Sequence, residues 1–239
     1  MSQITGDLNM EDKKNICSVS FGKDSLAMLL KLIEFKFPIE EVVFVDTGME
    51  FQAIYQIEEK VKKLLKEKNI KYTRLELPRP FEYYMFEHKK KNGEVGYSWC
   101  GGRCRWGTTY KMQVLNKHCK DARQFVGIAL DEPHRIKNEP NKIYPLVDLK
   151  MTEKDCLEYC YSKGFYWEEN GVRLYDILDR VSCWCCANKN LKELENYQKY
   201  LPQYWKKILD LQHKTDRLMK KSKKFQEWIK KGIKEDGKF

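Results

Sequence analysis

The sequence predicts an α/β protein: a doubly wound, mainly parallel sheet over residues 1–163, followed by a basic, cysteine-containing helical extension over residues 164–239. Three observations predict it. Short β-branched runs alternate with longer, leucine-rich helical periods, and such β-α-β-α order produces parallel sheets covered on both faces. The runs end in turns of small or polar residues, as at Gly22 and at Asp46-Thr47-Gly48. Near Lys163 the alternation stops, and cysteines, aromatics and lysines dominate the remainder of the chain.

Taken in order, residues 16–20 are a short apolar strand, and 26–33 are too long and leucine-rich for another strand, so they read as a helix. Residues 41–45 form a β-branched second strand, after which Ile54, Ile57, Val61, Leu64 and Leu65 recur at helical spacing. Residues 71–77 alternate as a third strand does, and Pro78 and Pro80 end it because proline lacks a backbone donor. A helix is expected around 81–89, then a cysteine-bearing loop at 99–106 and a helix to about His118. Residues 124–129 read as a fourth strand and 141–147 as a further short one. Thr152 with Asp155 three residues on resembles a helix-start box, continued by 157–163. Helices interrupted at Pro202 complete the chain.

With 42% hydrophobic residues the chain can fill a core, and with 33% charged residues its exterior is heavily solvated. No run approaches the roughly 18 apolar residues of a membrane span. Residues 1–15 are polar and acidic, so a cytoplasmic protein without membrane contact is expected. Nine cysteines in such a setting argue against a disulfide framework and toward metal binding or catalysis. The net charge of +10 gathers after Lys206, as in Lys220-Lys221-Ser222-Lys223-Lys224. Tyr197, Tyr200, Tyr204, Trp205 and Trp228 are interspersed there, a combination suited to stacking the bases and neutralising the phosphates of RNA or DNA. The alternative is that these aromatics pack the tail helices while the lysines face water.

The first strand-to-helix turn is Ser20-Phe21-Gly22-Lys23-Asp24-Ser25. A turn of this kind presents unpaired backbone N–H groups and the positive end of a helix dipole, which suits phosphate. Gly22 permits close approach, Lys23 supplies positive charge, and the hydroxyls of Ser20 and Ser25 are available as donors. Asp24 suits a helix cap or Mg2+. The spacing excludes both a Walker loop and a three-glycine dinucleotide fingerprint.

The hexapeptide resembles the PP-loop signature of the adenine nucleotide α-hydrolase-like ATP pyrophosphatases, with Phe21 where the pattern has its first glycine. Asp46-Thr47-Gly48, the stretch from Gly127 through Glu132 to Arg135, and Pro145-Leu146 are similar to segments of the phosphoadenylylsulfate (PAPS) reductase-like branch of that superfamily, in the same order. The resemblance covers roughly residues 16–160 and implies that residues 1–163 are a PP-loop nucleotide-binding domain. It implies an adenine nucleotide, ATP or a sulfonucleotide, on Ser20–Ser25 with Asp46, Thr47 and Gly127. Because the region from Cys100 to Lys111 is similar to the family's substrate-facing segment, Arg103, Lys111, Glu132 and Arg135 are expected to contact the substrate.

Cys183 and Cys186 form a Cys-x-x-Cys, and Cys100 or Cys104 can complete a four-thiolate site. Thiolates suit Zn2+ and a 4Fe-4S iron-sulfur cluster alike. Alternatively, Cys100 or Cys104 is a nucleophile or persulfide carrier, since Arg103 and Arg105 beside them favour thiolate. Cys185 competes with Cys186 as a ligand, while Cys17, Cys119, Cys156 and Cys160 read as small buried hydrophobes.

The expected function is adenylation of a substrate with pyrophosphate release, for sulfur transfer, with Lys23, Asp24, Cys100 and Cys104 as the catalytic set and a sulfur-donor protein as partner. A sulfonucleotide reductase is the alternative enzyme, though its attacking cysteine is carried in a Glu-Cys-Gly-type tail and no cysteine follows Cys186 here. An alternative of another class is a nucleic-acid-associated nucleotide-binding factor, in DNA phosphorothioation or phage defence.

Overall fold

A computed structural model describes residues 13–100, 102 and 104–235. The polar start at 1–12, Arg103 and the last four residues lie outside the described residues. The chain divides into two compact units. The first comprises the chain up to Asp46 with Gln52–Leu77 and Met112–Trp167; the second comprises Thr47–Phe51, Pro78–Lys111 and the chain from Glu168.

In the first unit, β1 (Asn15–Val19), α1 (Lys23–Glu34), β2 (Glu41–Asp46), α2 (Gln52–Glu67) and β3 (Lys71–Glu76) follow in strict alternation. After α3 (Lys111–His118) come β4 (Arg123–Val126), β5 (Lys142–Ile143), α4 (Pro145–Asp148) and α5 (Glu153–Ser162). The sheet order is β3-β2-β1-β4-β5, every pair parallel. This is a doubly wound α/β fold, and its strand order reverses between β1 and β4. All six residues of β2 are buried, as a central parallel strand covered on both faces requires. Ile16, Val43, Val45, Leu115, Cys119 and Ala122 form one cluster of its core.

The further strand expected over 141–147 is only two residues long. Pro145 opens α4 instead, because its fixed φ suits the first helical position, where no N–H is needed. The fourth strand stops at Val126, before Gly127. The helix-start box at Thr152 and Asp155 is present with both reciprocal bonds.

The second unit contains β6 (Glu168–Glu169) and β7 (Val172–Arg173), a short antiparallel pair, with α6 (Leu174–Ile177), α7 (Leu191–Tyr200), α8 (Pro202–Gln212) and α9 (Lys223–Glu235). The break at Pro202 is the α7–α8 junction. The helix expected around 81–89 contains a π-turn, Tyr83–Glu87, and a second π-turn at Arg105–Tyr110 leads into α3. Among the described residues no helix is long and apolar enough to cross a membrane.

Candidate functional site

Ligands of doubly wound sheets bind beyond the carboxyl ends of the strands at the point where strand order reverses. Here that point is flanked by Ser20–Ser25 after β1 and Gly127 after β4. Gly22 is the N-cap of α1 and no side chain caps the helix, an arrangement in which an anion can take the place of a capping side chain. The Ser25 hydroxyl stitches the turn: it accepts from the Ser20 N–H at 3.1 Å and donates to the Gly22 carbonyl at 3.1 Å. Ser20, by contrast, is exposed.

Phe21 stands at φ 57°, in the left-handed region that favours glycine. That explains glycine at this place in the family pattern. Here the cost of about 1–2 kcal/mol is offset by burial of the ring, worth about 1.5–3 kcal/mol. The ring lies 4.9 Å from that of Phe44, and the Phe21 carbonyl accepts from the Trp167 indole at 2.7 Å. Gly127 has no room for a side chain, because a Cβ would lie 2.5 Å from Ser25 Cα.

Lys23 Nζ lies 2.5 Å from Glu153 Oε1 and 3.2 Å from Asp24 Oδ1. Burial works against its charge, but the two carboxylates prevail and lift its pKa. Burial raises the Asp24 pKa, and the Lys23 charge opposes that rise. Carboxylate oxygens of Asp24, Glu132 and Glu153 lie within 4.8 Å of one another, a hard-oxygen set that fits a divalent cation such as Mg2+. Glu132 is buried and pairs with Arg135. Asp46 is engaged by the Tyr55 hydroxyl at 2.9 Å and by Arg74 at 2.5 Å, and Arg74 also bonds the buried Glu58.

The second unit holds the cysteine constellation. The neighbouring Cys104 thiol lowers the Cys100 pKa to about 6 against the opposing effect of burial, aided by the Arg105 N–H and the charge of Arg217. The same pairing, with burial, raises Cys104. Cys104 Sγ also accepts from the Gly107 N–H at 3.2 Å. A Cβ on Gly107 would sit 3.3 Å from Cys104 Sγ and 3.8 Å from Cys183 Sγ, so a glycine keeps the space between these sulfurs open. Burial, then Glu50, pushes the Cys183 thiol up to about 12. Thr47 Oγ1 lies 3.7 Å from Cys183 Sγ and donates to Glu50 at 3.1 Å, and Lys111 pairs with Glu50 at 3.3 Å. Cys186 closes a turn on the Cys183 carbonyl. Cys185 is fully buried, as are Cys17, Cys156 and Cys160, which is the setting of small hydrophobes.

In donor chemistry these cysteines fit a thiolate-held metal or cluster, and Gly107 leaves room beside Cys104 and Cys183. Their sulfurs are not drawn together as a ligand set, because among the described residues the donor atoms gathered within 4.8 Å of one another in threes are those of Asp24, Glu132 and Glu153. The buried indole N–H groups of Trp99 and Trp106, adjoining the Cys100–Cys104 stretch in sequence, have no partner among the described residues, and a thiolate or sulfide would accept them.

Residues 14–165 match the family model described as phosphoadenosine phosphosulfate reductase domain. The chain belongs to that family. An uncharacterized protein of Methanocaldococcus jannaschii is 26% identical over 243 residues, covering 92% of this chain and 45% of that protein. The chain therefore spans less than half the length of that relative. The reductase-domain match ends before the Cys183–Cys186 run.

The structure brings Lys23, Asp24, Ser25, Gly127, Glu132 and Arg135 together in the first unit, and Thr47, Cys100, Cys104, Lys111 and Cys183 belong to the second. Sequence reasoning missed Glu153, Glu50, Gly107 and Arg217. Glu153 had one signal, its place just after the helix-start residue Thr152. Glu50 lies within the segment that resembles the family's Asp-Thr-Gly turn, whereas Gly107 and Arg217 carry no signal, since only the fold supplies their partners. In the tail, Tyr197 and Tyr204 are buried against Phe51, and Trp205, Phe225 and Trp228 contact one another along α8 and α9. Lys206, Lys207, Lys223, Lys224 and Lys230 are exposed.

Proposed function

We propose that this reductase-family protein binds ATP at Ser20–Ser25 and adenylates an acceptor for sulfur transfer. The observation that carries the proposal is the uncapped start of α1, tightened by Gly127 and with Lys23 at its first position. An acceptor oxygen attacks the α-phosphorus, the bond to the β-phosphate oxygen breaks, and pyrophosphate leaves. Lys23 offsets negative charge developing on the leaving group. Asp24, Glu132 and Glu153 would hold Mg2+, which supplies further neutralisation of phosphate charge.

The adenylated carbon is then open to sulfur. Hydrosulfide attack forms the C–S bond, breaks the C–O bond and releases AMP. With a persulfide on Cys100, supplied by a sulfur-donor protein, the outer sulfur attacks instead. Cys104 then displaces the product by closing a disulfide with Cys100, which an external thiol reduces. Where hydrosulfide is the sulfur source, Cys100, Cys104, Cys183 and Cys186 are instead free to ligate, and together they would hold Zn2+ or an iron-sulfur cluster.

The test is purified protein with ATP, Mg2+ and candidate acceptors, assayed for pyrophosphate and AMP, alongside metal analysis after anaerobic preparation. Acceptor-dependent pyrophosphate release that is lost in Lys23→Ala supports adenylation. The paired thiols and the family favour one second reading, sulfonucleotide reduction. Sulfite release from a sulfonucleotide and reductant, with no pyrophosphate from ATP, would establish that reading instead.

A further inference from the structure

The segment Pro78–Lys111 carries a feature that the nucleotide site does not use. Its π-turn Tyr83–Glu87 and a hairpin bridged at Lys89 and Val95 are locked together by backbone bonds from Tyr97 N–H to the Tyr84 carbonyl at 3.0 Å and from Ser98 N–H to the Met85 carbonyl at 2.9 Å. Gly96 sits at φ 68°, and a Cβ there would lie 2.4 Å from the Met85 oxygen, so the hairpin is pinned tightly to the turn. On this frame five rings gather. His88 stacks on Tyr97 at 5.0 Å and 20°, and Tyr84 stacks on Tyr110 at 4.4 Å and 25°, with Tyr83 5.6 Å from Tyr84.

A purely structural cluster would be closed over. Here Tyr84 is buried, but Tyr83, His88, Tyr97 and Tyr110 are only half-buried, and Val95 beside them is 59% exposed. Cations surround the rings. Arg79 lies 5.5 Å from the Tyr83 ring and Lys90 5.8 Å from the Tyr97 ring, while Lys89 and Lys91 are exposed on the hairpin. The segment holds seven lysines and arginines against three acidic residues. Nine of the ten excess positive charges of the chain fall in the second unit, with 24 basic against 15 acidic residues.

Rigid, half-open aromatic faces ringed by lysine and arginine match one chemistry: unpaired bases that stack while their phosphates are neutralised. We infer that the aromatic hairpin of residues 79–97, with Tyr110, binds single-stranded nucleic acid. Duplex is disfavoured because its bases are already stacked and offer no free π-face. Cys100 and Cys104 lie between Tyr97 and Tyr110 in the same segment, so a strand seated here enters the part of the chain that carries the proposed sulfur chemistry. The inference thereby names an acceptor class for the sulfur-transfer reading. Its test needs no ATP, so either can fail alone.

The experiment is fluorescence anisotropy with the full chain and labelled oligoribonucleotide, oligodeoxyribonucleotide and duplex of equal length, at roughly 50 and 200 mM salt. Both single strands are expected to bind more tightly than duplex, and less tightly at the higher salt. Preference for the ribose strand would name RNA and the reverse DNA, and either supports the surface. Tyr97→Ala should weaken single-strand binding about tenfold, and Tyr97→Phe should retain it with an unchanged far-UV spectrum. Lys89→Glu with Lys91→Glu should weaken it further and flatten the salt dependence. Equal or tighter duplex binding, unchanged affinity in Tyr97→Ala, or loss confined to Lys223→Glu with Lys230→Glu on α9 would overturn the inference.

Discussion

The two units reach chemical function by opposite routes. In the first, consecutive strand-helix pairs place one turn, Ser20–Ser25, at the reversal of strand order, and neighbouring elements supply Gly127, Glu132 and Glu153. In the second, three segments far apart in sequence supply Thr47 and Glu50, then Cys100, Cys104 and Lys111, then Cys183 and Cys186. The first is close to charge balance, whereas the second holds nearly all the excess positive charge. A site made by topology tolerates little change in its backbone, while one made by side chains from separate segments depends on their individual reactivity.

The largest effect is therefore expected at Lys23. In the folded protein its ammonium is held between Asp24 and Glu153. On the proposed function, removing it deletes the cation assigned to the phosphates and leaves those carboxylates facing them. Lys23→Ala should lower acceptor-dependent pyrophosphate release about 100-fold or more, with alkylation of Cys100 unchanged. A Lys23→Ala protein that retains wild-type release would dissolve the distinction between the units, because the chemistry would then not belong to the first.

Two glycines sharpen the same contrast. A Cβ on Gly127 would strike the backbone of Ser25 at 2.5 Å, and backbone in a packed turn cannot yield. Gly127→Ala should cost about 1–3 kcal/mol of stability and weaken nucleotide binding. A Cβ on Gly107 meets only the sulfurs of Cys104 and Cys183, at 3.3 and 3.8 Å, and side chains can shift by a few tenths of an ångström. Gly107→Ala should cost under about 1 kcal/mol, with reduced metal content and normal nucleotide affinity. Denaturant titrations with nucleotide-binding isotherms on both variants check this pair. Equal losses would mean that Gly127 does not set the loop.

How much of each unit was legible reflects the same difference. The α/β order, the turn at Ser20, the strand-end stretch from Gly127 to Arg135 and the helix-start box at Thr152 are local patterns, and periodicity or motif exposed them. Phe21 looked like a departure from the pattern, and the sequence offered no reason for it. Its reason is three-dimensional: Phe44 and Trp167 receive the ring and the carbonyl. The role of Gly107, the charge of Arg217 near Cys100 and the ring ladder around Tyr97 depend on contacts between distant residues, which no local pattern encodes. Of the two readings of the tail aromatics, packing holds for Tyr197 and Tyr204, which are spaced like a binding face but are buried against Phe51.

Thiol reactivity gives a smaller effect that belongs to the second unit alone. Cys100 is held near pKa 6 and so below the ordinary thiol value, while Cys104 is raised. A depressed pKa means that the thiolate stabilises the fold at pH above the unfolded thiol value, and that this contribution disappears as pH falls through about 6. In chelator-treated protein, iodoacetamide should label Cys100 with a rate that rises through about pH 6 and is level by neutral pH, and Cys104→Ala should move that midpoint upward. A midpoint at the ordinary thiol value in the wild type would show that Cys104 does not hold Cys100 as the thiolate.

The smallest effect returns to the turn at Phe21, where strain and packing oppose each other. Replacement by alanine removes the buried ring, at about 3–5 kcal/mol, and leaves a Cβ at positive φ. Replacement by glycine removes the same ring but relieves that backbone cost, so Phe21→Gly should be more stable than Phe21→Ala by about 1 kcal/mol. Thermal unfolding of the two variants measures the difference directly, since both leave the same cavity beside Phe44. If alanine proved as stable as glycine, the turn would have abandoned its left-handed residue once the ring was gone. The ring would then be what holds Ser20–Ser25 in the conformation of a phosphate loop, and nucleotide affinity in Phe21→Gly would fall with it.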